Sequence, residues 1–233
     1  LLSRSSIDDE LPGAVSVFPL PRLTIFSPAI ILNRSAFKRR ISRNSNESGM
    51  RVIAGQAKGH QLKFPKGTDT RPATDLVKGA IFSILENMTG DWSLVLDLFS
   101  GSGALGIEAL SRGAGWVDFV EREPKCCAII KQNLEKTGLA GQAHIYCCSV
   151  NRAISFLDKE YSIILMDPPY ADKSIGKVIE QLASSRLAGE SSTVVVTHSP
   201  RLALSTSYGS LQMVKEHRHG DSCIAVYVKE ALP

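Results

Sequence analysis

Residues 94–110 constrain this chain more than any other stretch. Leu94-Val95-Leu96-Asp97-Leu98 is apolar apart from Asp97 and reads as a buried strand. Phe99-Ser100-Gly101-Ser102-Gly103 follows, and its two glycines permit a sharp turn and a close ligand approach. Leu105, Ile107, Ala109 and Leu110 then open an apolar pattern at helical spacing. Strand, glycine turn and helix in that order form the layout of a nucleotide-type cofactor site in an open α/β sheet.

Gly101-x-Gly103-x-x-Gly106 also fits the dinucleotide fingerprint, and Asp97 separates the two readings. A dinucleotide sets its pyrophosphate at this turn, where a carboxylate at the strand end repels it. S-adenosylmethionine has no phosphate and offers an ammonium, which a carboxylate attracts directly or through water. The expected cofactor is therefore S-adenosylmethionine, held by Asp97, Gly101 and Gly103.

The rest of the chain supplies the sheet that such a turn needs. Thr74 is the expected N-cap of a helix with Val77, Ile81, Ile84 and Leu85 on its apolar stripe. Strands are predicted at Trp116–Val120, His144–Cys148, Tyr161–Met166 and Thr193–Thr197. Helices are predicted at Pro124–Lys136, Val150–Leu157 and Ile175–Leu182. Two closing strands, Leu211–Glu216 and Cys223–Val228, flank His217–Asp221. Repeating βα units predict a Rossmann-like, mostly parallel seven-stranded sheet with helices on both faces and an antiparallel C-terminal edge.

Charge divides the 233 residues unevenly. Seven of the 27 Lys and Arg and four of the 23 Asp and Glu fall in residues 1–49, which leaves 20 and 19 for the remainder. The main domain is thus near neutral, and a nucleic-acid site on it must be a local patch. Between Leu11 and Asn46 there are six bases and no acid, with scattered serine and proline. That is the composition of an organelle transit peptide; a plastid is the first expectation and a mitochondrion the second, with a basic RNA-holding arm as the rival reading. Residues 50–72 predict an N-terminal hairpin extension carrying Arg51, Lys58, His60, Lys63 and Lys66, a local patch of the kind that positions phosphates. Residues 73–233 form the expected catalytic domain. No apolar run reaches the roughly 18 residues of a membrane span. The five cysteines lack zinc spacing and read as reduced thiols, and no metal is expected. His198, His217 and His219 read as surface or RNA-facing residues.

Two further acids complete the pattern. Glu121 stands 18 residues after Gly103 at the end of the next strand, where an open α/β site puts an acid on ribose hydroxyls. Asp167-Pro168-Pro169-Tyr170 follows the fourth strand. Its prolines fix their own backbone angles, restrain Asp167 and offer no N–H. Such a ledge suits the exocyclic NH2 of a planar ring: Asp167 and the Pro168 carbonyl accept its hydrogens, and Tyr170 stacks on the ring face.

With these motifs in place, the chain resembles the class I S-adenosylmethionine-dependent methyltransferases, and among them the RsmD-like family that methylates guanine N2 in small-subunit ribosomal RNA. The resemblance covers residues 51–230. It rests on Arg51 to Gly55 with Gly59, Arg71 to Asp75 with Ile81-Phe82, Asp97 to Gly106, Glu108 to Gly113, Glu121, and Asp167 to Tyr170. It implies that Asp97, Gly101, Gly103 and Glu121 hold the cofactor and that Asp167, Pro168, Pro169 and Tyr170 hold the target guanine. Arg71 and Thr74 then lie near the cofactor's amino-acid end or the target base. It implies a monomer acting on ribosomal RNA or an assembling small subunit. The chain departs from the family at Lys78-Gly79, where Arg-Glu is usual, at Ser149, the candidate adenine contact in place of an acid or amide, and at Val196-Thr197-His198, in place of an acid-bearing strand end. The rival readings are methylation of another amino group such as adenine N6, a ribosome-assembly factor without the reaction, and a dinucleotide oxidoreductase.

Overall fold

The computed structural model describes residues 50–65, 74–170 and 172–229. The expected address segment 1–49, part of the 50–72 extension and Arg71 fall outside these. The elements run α1 (Asp75–Met88), β1 (Leu94–Leu98), α2 (Ala104–Ser111), β2 (Trp116–Glu121), α3 (Pro124–Thr137) and β3 (Ala143–Cys147). Then come α4 (Val150–Phe156), β4 (Tyr161–Met166), α5 (Ile175–Ala183), β5 (Ala188–His198), β6 (Ser207–Tyr208), β7 (Leu211–His219) and β8 (Ser222–Lys229).

One sheet holds all the strands, in the order β3-β2-β1-β4-β5-β8-β7-β6. β1 pairs parallel with both β2 and β4, and β8 inserts antiparallel between β5 and β7. Side chains alternate between the two faces, as the period of two requires. Val95, Val117, Phe119, Ile163, Leu165 and Val195 pack into one core with α1, α2, α3 and the N-terminal segment. Leu96, Leu98, Val120, Ile164, Met166 and Val196 pack into the other with α4 and α5. Burial on both faces explains why these strands read as continuous apolar runs. Strand order reverses between β1 and β4, which opens a crevice at their carboxyl ends.

Three expectations are corrected. The sheet has eight strands, because Ser207–Tyr208 pairs with β7 as a two-residue edge too short to show a pattern. β5 starts at Ala188, five residues early: Ser192 Oγ accepts from Gly189 N at 2.7 Å and donates to Tyr161 O at 2.6 Å, so a polar, small-residue segment is held at a break in register. β7 continues through His219, which leaves only Gly220-Asp221 as the turn, with Gly220 in the left-handed region as short hairpins require. Charged residues on this near-edge strand had masked it.

Residues 50–65 double back on themselves with one antiparallel bridge, Arg51 to Gln61, in place of two full strands. Their attachment is polar as well as apolar. Ser111 O accepts from Gln56 N at 2.8 Å, and Gly55 lies so close that a Cβ there would sit 1.7 Å from the same oxygen. Glu108 accepts from Ile53 N at 2.8 Å and Ala54 N at 2.9 Å. The tip of the segment therefore lies over the C-terminal end of α2, while Met50 meets Ser102 at the N-terminal end.

Candidate active site

The glycine turn is held from three sides. Asp97, 1% exposed, accepts from Gly106 N at 2.9 Å, which places its carboxylate against the first turn of α2. Glu121 accepts from Gly101 N at 2.8 Å and from Glu123 N at 2.9 Å. Ser100 Oγ donates to Asp97 O at 2.5 Å and accepts from Val120 N at 3.0 Å, tying β1 to β2. Gly101 and Gly103 have φ of 56° and 79°, and Phe99 shares that left-handed region at 58° although it carries a side chain. A strained residue at the switch point marks a functional turn. Asn133 Nδ2 donates to both Ser102 O and Lys63 O at 2.9 Å, and its Oδ1 accepts from Lys63 N at 2.8 Å. This one buried amide fixes the turn and the N-terminal segment to α3.

Across the crevice, Asp167 follows β4 directly, and Thr197 Oγ1, on neighbouring β5, donates to its Oδ1. Pro168 is buried, Pro169 exposed, and Tyr170 is 43% exposed with its hydroxyl hydrogen-bonded to Ser222 Oγ at the start of β8. The ledge is thus positioned by β5 and β8 together.

Burial pushes the Asp97 carboxyl up to about 8; the Gly106 N–H opposes this, and the charges of Asp167 and Glu121 add to it. Three carboxyl groups therefore converge on one crevice, and a cationic ligand there favours the ionised form of Asp97. That potential fits a ligand bearing a sulfonium and an ammonium and opposes a pyrophosphate, so the site suits S-adenosylmethionine and disfavours a dinucleotide. Both Glu121 oxygens keep a lone pair for a vicinal diol after their amide bonds are made.

Other predicted residues are placed as follows. Ser149 lies exposed just beyond β3, with its Oγ accepting from Arg152 N at 3.4 Å as the cap of α4. Thr74 Oγ1 likewise accepts from Val77 N at 3.4 Å and caps α1. Arg51 Nε pairs with Asp75 at 2.9 Å, near the glycine turn. Lys58 N bonds back to Gly55 O at 3.2 Å and the His60 ring to Ala57 O at 2.9 Å, with Ala57 N on Ser111 Oγ at the end of α2, while His60 O accepts from Val52 N at 3.0 Å, beside Arg51.

The surface expectation for His198 is corrected. His198 is 2% exposed, its Nδ1 donates toward Ser199 O and Leu202 O at 3.1 and 3.0 Å, and its Nε2 lies 3.1 Å from Glu216 Oε1 without hydrogen-bond alignment. It orders the connection after β5; His217 stays exposed on β7. Among the described residues no group of three His, Cys, Asp or Glu is placed to hold a metal, and no helix is long and apolar enough to cross a membrane.

Lys78 stands apart in the sequence only as a departure from the resemblance, which leaves its role unread. It is fully buried in α1, donates to Arg51 O, and lies 3.9 Å from Glu108 and 3.7 Å from Asp75. Burial lowers its ammonium's pKa, and both acids oppose that. Lys78 is thus a buried cation that clips the N-terminal segment to the domain. A lysine on the apolar side of a predicted helix was the available signal.

The family model described as conserved hypothetical protein 95 matches residues 50–228. The chain belongs to this family, the RsmD-like methyltransferases. Ribosomal RNA small subunit methyltransferase D of Escherichia coli (strain K12) is 31% identical, over 81% of this chain and 94% of that one. YlbH of Bacillus subtilis (strain 168), provisionally named an rRNA methyltransferase, is 37% identical over 77% and 99%. The solved structure of the E. coli protein yhhF, provisionally named a methyltransferase, superposes with a TM-score of 0.67 at 29% identity, covering 78% of this chain and 99% of that one. Like its relatives, the chain has the class I methyltransferase fold.

Proposed function

We propose that this protein transfers a methyl group to the exocyclic N2 of a guanine in small-subunit ribosomal RNA, inside an organelle and first of all the plastid stroma. The observation that carries the reading is the Asp167–Tyr170 ledge at the end of β4, facing the buried Asp97 across the switch point and fixed by Thr197 and Ser222. The names of the E. coli and B. subtilis relatives support the rRNA substrate, and the charge pattern of residues 1–49 supports the compartment.

When bound, S-adenosylmethionine supplies a methyl group already activated by its sulfonium. The protein's part is placement. Asp97 and Glu121, with Gly101 and Gly103, hold the donor's polar groups. Ser149 takes its adenine side, and Thr74 lies by its amino-acid end. Asp167 and the Pro168 carbonyl accept the two N–H bonds of the amine and point its lone pair into the crevice. Pro169 keeps the ledge stiff and Tyr170 stacks on the base. Transfer to an amine would leave a proton that can depart after attack, so the protein would need acceptors that position the amine rather than a strong base. A base inside a stack cannot reach this ledge; the target is single-stranded or splayed out. Arg51, Lys58, His60 and Arg71 contact the RNA in this reading.

Incubation of the full chain with S-adenosylmethionine and unmethylated small-subunit rRNA or particles, followed by nucleoside mass analysis, tests the reading. N2-methylguanosine is expected. N6-methyladenosine, or no methylated nucleoside at all, overturns it. A fluorescent fusion of residues 1–49 tests the compartment; cytosolic signal removes that part.

A further inference from the structure

Three bases outside the machinery described above converge beside the target ledge. Lys173 precedes α5, Arg201 lies between β5 and β6, and Arg218 is near the end of β7. With Tyr170 they line one open cleft of about 610 Å3. Only the fold brings these segments together. Among the described residues, the side chains of Lys173 and Arg201 make no hydrogen bond or ion pair. Arg218 Nε donates to Gly220 O at 3.1 Å, which braces its stem on the hairpin turn and leaves the other guanidinium N–H groups for a ligand.

Two acids share the cleft, Asp172 and Asp221. Asp172 Oδ1 accepts from Ser174 N at 2.8 Å and Ser174 Oγ at 2.6 Å, so it caps its own turn. The balance is cationic by one, and position strengthens it. Tyr170 belongs both to the ledge and to this cleft, so a strand that lays a base on the ledge continues over Arg201 and Arg218. In sheet order, the N-terminal segment flanks the β1–β2 side of the crevice and the cleft flanks the β5–β8 side.

We infer that this cleft is a phosphate-binding subsite for the RNA strand adjoining the target nucleotide. Lys173, Arg201 and Arg218 pair with its backbone, position it and carry no base information. The inference rests on RNA being the substrate, as proposed above.

The test uses the full chain with naked small-subunit rRNA as probe. The doubly substituted Arg201→Ala/Arg218→Ala protein and a single Arg218→Glu are compared with the parent. S-adenosylmethionine affinity, measured by calorimetry, checks that each is folded. At moderate salt, KM for RNA is expected to rise about tenfold or more with kcat within about twofold. The plot of log affinity against log salt should flatten by about 1.4 for two lost single-strand phosphate contacts. An unchanged KM and salt slope overturns the subsite. Direct RNA retention on filters separates the two readings. If the parent binds RNA without methylating it and both variants bind less, the subsite stands and the reaction falls. Equal retention by all three overturns the subsite whatever the reaction.

Discussion

The two halves of the crevice are built differently. On the cofactor side, Asp97, Ser100, Gly101, Gly103 and Gly106 lie within ten residues, and their partners are mostly backbone groups of the same turn or of adjacent β2. On the target side, Asp167 and Tyr170 depend on Thr197 and Ser222, 30 and 52 residues away. A site made of local backbone keeps its shape wherever its strand forms. A site made of distant side chains is tunable by single substitutions that leave the donor's seat intact.

The largest expected break between the halves is Asp167→Ala. Loss of a positioned acceptor should lower kcat by about 10²–10³-fold, while calorimetry shows S-adenosylmethionine affinity kept within about threefold. Transfer at the parent rate would remove the role given to the ledge.

The second prediction concerns the opposite wall. In the free protein Asp97 holds its proton up to about pH 8, because burial and the neighbouring acids raise it, and the cationic donor needs the carboxylate. Affinity for S-adenosylmethionine should therefore rise with pH, by up to about tenfold per unit below that value, and level off above it. Asp97→Asn should bind weakly with no such slope. The same raised carboxyl binds a proton in the folded state that the unfolded chain has released, so stability of the free protein should fall as pH rises from about 4 to 8. Melting scans across that window check the sign, and Asp97→Asn should flatten them.

Gly106→Ala sharpens the contrast through packing. Its Cβ would lie 2.3 Å from Phe119 Cε1 and 2.9 Å from Asp97 Oδ2. A cost of about 1–3 kcal/mol is expected, read as a lower melting temperature together with weakened cofactor binding and a normal KM for RNA. The smallest effect belongs to Thr197→Val, which keeps shape and removes the hydroxyl that orients Asp167. About 1 kcal/mol of lost orientation corresponds to roughly fivefold in kcat, with donor affinity unchanged.

Legibility from sequence follows the same division. The continuous apolar strands, the glycine turn, Asp97, Glu121 and the proline pair were readable because local pattern dictates them. β4 and α4 agree with expectation to within a residue at each end. Thr197, Ser222 and the buried His198 were not readable as site partners, since each acquires its meaning from a strand paired across the sheet. β6 and the first half of β5 escaped because serine and glycine carry little strand preference and are held by tertiary hydrogen bonds. Lys78 lies on the apolar side of α1, but its partners Glu108 and the Arg51 carbonyl come from other segments, so its role was not readable from the helix alone. Of the adjacent cysteines Cys126 is buried as expected of filler while Cys147 is exposed, and burial, with Cys147 beside it, pushes the Cys127 thiol up to about 12, far from a nucleophile.

β8 lies inside the sheet although it comes last in the described chain, with β5 on one side and β7 on the other. During synthesis the donor's seat has all its residues long before Ser222 emerges to anchor Tyr170. A nascent or truncated product ending before β8 would carry a nucleotide pocket with no wall for the base. The order in which the polypeptide is delivered thus withholds the reaction until the final strand has slotted home.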